Sequence, residues 1–153
     1  MTYLLITIII FVALAPLWHF MPSRRQRREA KLRETAALAG LFVEFRDLPL
    51  PEAQRARLPS SERQVLYYGR RLKRTRGDAR RSAAWWRKDG EWRSSDPHAA
   101  LPSVAPEMPP AVLALGITES SCGVYWQEEG EEETVRALAA LLTRWAGDAE
   151  GSS

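Results

Sequence analysis

Nineteen consecutive residues, Tyr3 to Met21 (YLLITIIIFVALAPLWHFM), contain no Lys, Arg, Asp or Glu. Ser23-Arg24-Arg25-Gln26-Arg27-Arg28 comes almost at once after them. At about 1.5 Å per helical residue the run reaches roughly 28 Å, the hydrocarbon thickness of a bilayer. A helix satisfies its own backbone polar groups in lipid, so the segment is expected to be a transmembrane helix over 3–21. A cleaved secretory signal is the competing reading. It would carry basic residues ahead of the apolar run, and here none precede it; Ala13-Leu14-Ala15 resembles a cleavage triplet, but Pro16 comes next and the apolar residues continue. Six Lys or Arg lie between Arg24 and Arg33 and none before the span. Positive residues are retained in the cytoplasm, so the expected topology is N-terminus outside and C-terminal domain cytoplasmic, in a bacterial inner (plasma) membrane. Trp18 and His19 would sit at the headgroup level near the inner end of the span.

Charge is unevenly divided along the rest of the chain. Arg24 to Arg93 holds 20 basic and 9 acidic residues, whereas Ser94 to Ser153 holds 2 basic and 10 acidic. The basic part lies next to the span, where each Lys or Arg near an anionic leaflet gains about 1 kcal/mol. Membrane contact through anionic lipid headgroups is therefore assigned to Arg24, Arg25, Arg27, Arg28, Lys31, Arg33, Arg70, Arg71, Lys73 and Arg74. The same charge would attract nucleic acid, which is the less economical reading next to a bilayer. Cys122 is the only cysteine, so no intramolecular disulfide or cysteine-cluster metal site can form, in keeping with a reducing compartment.

Local patterns outline an α+β domain: a small, mainly antiparallel sheet with a C-terminal amphipathic helix. Ser23 and Gln26 have the spacing of a capping box, and Gly40 is the expected stop of a basic juxtamembrane helix over 23–40 whose apolar stripe is Leu32, Ala36 and Ala39. The domain itself is expected over 41–147. Leu41 to Leu48 alternates as a strand, with Leu41, Val43 and Phe45 on its apolar face. Pro51 to Arg63 reads as linker with a helical turn, Val65-Leu66-Tyr67-Tyr68 as a second strand, and Arg70 to Ser82 as an exposed basic loop broken at Gly77-Asp78. Trp85-Trp86-Arg87-Lys88-Asp89-Gly90-Glu91-Trp92-Arg93 predicts a hairpin closed by a type I′ turn, because Gly tolerates positive φ. That turn pairs Lys88 with Glu91, Arg87 with Trp92 and Trp86 with Arg93. Trp85 and Trp92 become core candidates, and Trp86 points the other way. Pro97 to Pro110 reads as an extended connection, Ala111 to Leu115 as either a short helix or a strand, and Gly123 to Gln127 as the last strand. Val135, Leu138, Leu142 and Trp145 give the final helix, Glu131 to Ala146, one apolar stripe, with Gly147 as its stop and 148–153 as a disordered tail.

Chemistry-bearing patterns are few, and none predicts a catalytic site, a metal site or a cofactor. The two histidines lack Cys, Asp or Glu at zinc-ligand spacing. No GxxxxGK[ST], GxGxxG or GxSxG occurs. His98 beside Asp96 reads as a solvated loop rather than a base, and Cys122 as a small buried thiol rather than a nucleophile. Glu128 to Glu133 reads as helix N-terminal charge rather than a cation site. The tryptophan hairpin beside basic residues would suit base stacking, but the core of a small domain explains it with fewer assumptions. The expectation is an accessory or scaffold subunit that binds another protein and is not an enzyme. The alternatives are a membrane-tethered nucleic-acid-binding module and a small enzyme using Cys122 or His98.

Met21-Pro22-Ser23-Arg24-Arg25-Gln26-Arg27-Arg28 through Leu38 resembles the exit from the span in YajC-type accessory subunits of the bacterial preprotein translocase. That resemblance implies one N-terminal span, a basic helix and a small cytoplasmic β-rich domain. It covers about the first quarter of the chain. Beyond Gly40 the family's Gly-Asp-Glu-Val-Val-Thr type segment and glycine-rich strands have no counterpart, so no site residue transfers. The Ala/Arg/Leu-rich composition also resembles uncharacterised small single-pass inner-membrane proteins of proteobacteria.

Overall fold

The computed structural model describes residues 1–14, 23–73 and 82–151. Its described residues fall into two units, Met1–Ala30 and Lys31–Ser153. The first contains α1 (Thr2–Leu14), a helix without a charged residue whose large side chains are exposed on every side. Among the described residues no helix is long and apolar enough to cross a membrane. Helix α1 covers the first part of the predicted span; residues 15–21, with Trp18, His19 and the end of that span, lie outside the described residues, as do Pro22 and the Gly77-Asp78 break.

Helix α2 (Arg24–Leu38) begins and ends as the sequence predicts. The Gln26 amide donates to Ser23 Oγ at 3.2 Å and the Ser23 amide to Gln26 Oε1 at 2.9 Å, which completes the capping box. At the other end the Gly40 amide donates to the Ala37 carbonyl and the Leu41 amide to the Ala36 carbonyl. This is a Schellman turn, and it needs the φ of +77° that Gly40 adopts. Leu32 and Ala36 are fully buried, with Ala39 packed beside them.

Six antiparallel strands form one sheet in the order β1-β2-β6-β5-β3-β4: β1 (Phe42–Asp47), β2 (Gln64–Arg71), β3 (Ala83–Lys88), β4 (Glu91–Ser94), β5 (Val112–Ile117) and β6 (Ser121–Trp126). The β3–β4 hairpin has the predicted register, with Asp89 at φ 52° and Gly90 at φ 82°. One face of the sheet packs against α2 and against α5 (Glu132–Gly151), whose Val135, Leu138, Leu142 and Trp145 are buried. Each fully buried Leu or Val contributes roughly 1.5–3 kcal/mol, so this face holds most of the domain together. The 97–110 segment, expected to be merely extended, adds a 3-10 turn (Ala105–Glu107) and buries Val104, Ala105 and Met108 in the same core.

A second core lies on the opposite face. Tyr67, Trp86, Ala114 and Tyr125 cluster there under Leu48, Leu50 and Leu58, carried by the segment that includes the short helices α3 (Glu52–Arg55) and α4 (Ser60–Arg63). Trp86 is therefore a core residue, whereas Trp92 is only half-buried. A sheet covered on both faces buries consecutive residues, which explains why all six residues of β6 are buried. Alternation still holds within β6: Cys122, Val124 and Trp126 face the helices, and Tyr125 faces the second core. The bulge at Leu113 shifts the β5–β6 register by one residue. It turns both Leu113 and Ala114 toward the second core while Val112 and Leu115 remain in the first.

Several sequence expectations are corrected. Arg70 and Arg71 do not open a loop: they end β2, paired with Cys122 and Ser121 of β6. Phe45 belongs to the predicted apolar face of β1 but is 64% exposed, because β1 is an edge strand and the first core takes in Leu41 and Val43 but not Phe45. Gly147 does not stop α5, which runs on to Gly151, so residues 148–151 are helix rather than tail. No Cβ contact or positive φ sets Gly147 apart; a glycine in a helix costs about 1 kcal/mol, less than the packed stripe before it supplies.

Candidate functional site

Ten cations carry the predicted headgroup contact, and the fold separates them. Arg24, Arg25, Arg27 and Arg28 are exposed on the first two turns of α2, with Arg25 Nε on Glu29 at 2.7 Å. Lys31 and Arg33 are drawn into the protein's own acidic half. Lys31 pairs with Glu132 at 2.5 Å. Its pKa rises and that of Glu132 falls, each chiefly through their shared hydrogen bond. Arg33 donates from Nε and Nη2 to the two oxygens of Glu128, at 2.9 and 2.8 Å. The sequence assigned both cations to lipid because the complementary carboxylates lie about a hundred residues further on. Lys73 stands just after β2, its amide donating to Glu150 Oε1 at 2.8 Å. Arg74 lies outside the described residues.

Glu128 is the anchor of the buried polar network. Its side chain is 6% exposed. Besides the Arg33 fork it accepts the Tyr68 hydroxyl at 2.7 Å. Burial, then the Glu128 hydrogen bond, push the Tyr68 phenol well above its ordinary pKa. The three groups join α2, β2 and the loop after β6. Both oxygens of Glu128 are occupied, so this carboxylate ties the elements of the fold together. Among the described residues no group of three or more His, Cys, Asp or Glu is placed to hold a metal.

The two enzyme candidates are not brought into one accessible site. Cys122 is fully buried, its Sγ directed at the Leu142 carbonyl at 3.9 Å. His98 is exposed in a turn where its amide donates to Asp96 Oδ1 at 2.9 Å. The tryptophan hairpin offers little for base stacking: Trp85 and Trp86 are buried, and the Arg87 guanidinium sits 4.7 Å from the centroid of the Trp92 ring.

Two surface clefts lie near these cations. One, about 420 Å³, lies along α2 and α5 and is lined by Lys31, Glu34, Thr35, Leu38, Ala39, Glu132 and Arg136. Its two cations, Lys31 and Arg136, are matched in charge by Glu34 and Glu132, and Glu132 binds both of them. The other, about 380 Å³, is lined among the described residues by Gly40, Leu41, Phe42, Arg70 and Arg71, none of them a carboxylate. It forms where the chain leaves α2, enters β1 and meets the end of β2, with Phe42 opposite Gly69. Arg71 lies with its guanidinium 5.3 Å from the Phe42 ring centroid. This cleft is the candidate binding site. The sequence named Arg70 and Arg71 but missed Gly40, Leu41 and Phe42, because only β1–β2 pairing joins segments thirty residues apart. Compared with family models, curated proteins and solved structures, the chain matches none.

Proposed function

We propose that this protein is a non-enzymatic, single-pass inner-membrane protein whose cytoplasmic α+β domain acts as an accessory or scaffold subunit by binding another protein. The observation that carries the reading is α1: Tyr3, Leu4, Ile8, Phe11 and Val12 are exposed on a helix that is apolar all round. Such a helix is stable in hydrocarbon, not in water. The cluster of basic residues at Arg24–Arg28 that follows it favours a cytoplasmic domain and an N-terminus outside. Protein binding is supported by the open outer edge of β1, where Phe45 is exposed beside unpaired backbone groups suited to an extended segment of a partner.

Membrane fractionation with an alkaline carbonate wash tests the anchor, and C-terminal fusions test its direction. A membrane-retained chain with a bright fluorescent fusion and an inactive alkaline phosphatase fusion is expected; release by carbonate, or the reverse fusion pattern, overturns the reading. For the partner, a photo-crosslinking residue at position 45 is expected to give one adduct of defined mass, stoichiometric after mild detergent extraction and lost from a control at Glu91 on the other sheet edge. No adduct at 45, or equal labelling from both edges, refutes partner binding at this edge.

A further inference from the structure

Arg70 is the exception among the half-buried arginines of the domain. Arg33 is held by Glu128, Arg46 by Glu44, Arg55 by Glu52, Arg63 by the Leu58 and Ala56 carbonyls, and Arg87 by those of Met108 and Pro109. The Arg70 side chain makes no hydrogen bond or ion pair among the described residues. A guanidinium carries five N–H donors, and partial burial penalises those left unmet. Its Nη1 lies over Gly40, 3.8 Å from where a Cβ would stand. Arg71 is the next residue, on the opposite face of the strand, braced against the Phe42 ring. Because β1 pairing ends at Phe42–Gly69, the two guanidiniums straddle the sheet just beyond the end of β1.

We propose that this cleft binds a phosphate group between the Arg70 and Arg71 guanidiniums, carried either by a soluble phosphate ester or by a phospholipid headgroup. Two forks approaching from opposite faces suit a tetrahedral anion with oxygens on both sides, whereas a planar carboxylate is served by one fork. At about 380 Å³ the cleft exceeds a phosphate ion, and Leu41 and Phe42 give the extra space an apolar wall fitted to the organic part of an ester. Gly40 is needed for its positive φ, which closes the turn that sets Arg70 beside the start of β1. The chain as a whole carries a net charge of +3, which favours approach of an anion over a cation. The cleft belongs to the domain alone, so a soluble ester requires no bilayer.

The full chain in neutral detergent, titrated with glycerol 3-phosphate by calorimetry, tests the proposal. Saturable binding is expected, weakened about tenfold or more by Arg70→Gln or Arg71→Gln and only partly preserved by Arg70→Lys, which keeps the charge and loses the fork. Arg136→Gln, in the other cleft, is expected to leave the affinity unchanged. Competition by nanodiscs containing phosphatidic acid, but not by pure phosphatidylcholine discs, assigns the site to a headgroup; glycerol 3-phosphate binding without competition assigns it to a soluble ester. No saturable binding by the unaltered chain, or equal affinity in Arg70→Gln and Arg71→Gln, overturns the proposal. A chain released by carbonate that still binds glycerol 3-phosphate would sink the membrane reading and keep the phosphate site.

Discussion

Replacing Glu128 with Ala is expected to destabilise the domain by about 3–4 kcal/mol. Breaking a buried ion pair by removing one partner costs about 3–5 kcal/mol. The Arg33 side chain is 38% exposed, however, so water and salt recover part of its loss, leaving roughly 2–3 kcal/mol. The Tyr68 hydroxyl, stranded in the core, adds about 1 kcal/mol. Backbone strain cancels from the comparison, because Glu128 already sits at φ 53° and Ala is no better suited to that region. For a chain stretch such as 23–153, with a urea slope near ~1.5 kcal/mol per M, the unfolding midpoint is expected to fall by about 2 M. A double-mutant cycle isolates the pair: in an Arg33→Met background, Glu128→Ala is expected to cost about 2 kcal/mol less than in the unaltered chain. A midpoint shift below about 0.5 M, or equal cost in both backgrounds, would refute the argument that this network clamps α2 to the sheet.

Gly147→Ala is expected to stabilise the domain by about 0.5–1 kcal/mol, since it removes a helix-interior glycine with open space around it; Gly123→Ala is expected to destabilise it by several-fold more, because the added Cβ would overlap the Tyr68 carbonyl and the Tyr67 ring. Thermal melts of the two variants should move in opposite directions. Burial pushes the Tyr67 phenol up to about 12 and raises those of Tyr68 and Tyr125 too. The unfolded chain therefore ionises first as pH passes 10: the stability is complete below that pH and is lost towards pH 12, at about 1.4 kcal/mol per pH unit for Tyr67. Absorbance at 295 nm should show these three phenols silent until the fold is lost, and their normal titration near pH 10 with intact circular dichroism would contradict the burial. Cys122 is expected to react with a thiol reagent only after denaturant is added; stoichiometric reaction in native buffer would count against its place beneath α5.

What the sequence determined on its own was local. The Ser23–Gln26 box, the Gly40 turn, the Asp89-Gly90 hairpin and the Val135–Trp145 stripe each rest on spacings of a few residues, and each stands in the structure as read. Tertiary structure decided everything that depends on distant partners. It placed a second aromatic core on the far face of the sheet, so Trp86 is buried although local alternation turned it away from the first core. It carried α5 through Gly147, a stop by local rule, because helix packing outweighs one glycine's penalty. It drew Lys31 and Arg33 to Glu132 and Glu128, and left Arg70 beside Gly40 with no carboxylate partner among the described residues. Charge along a chain gives the sum of the attractions available, but which cation is neutralised depends on which strands lie side by side, and that pairing is set by the folded sheet.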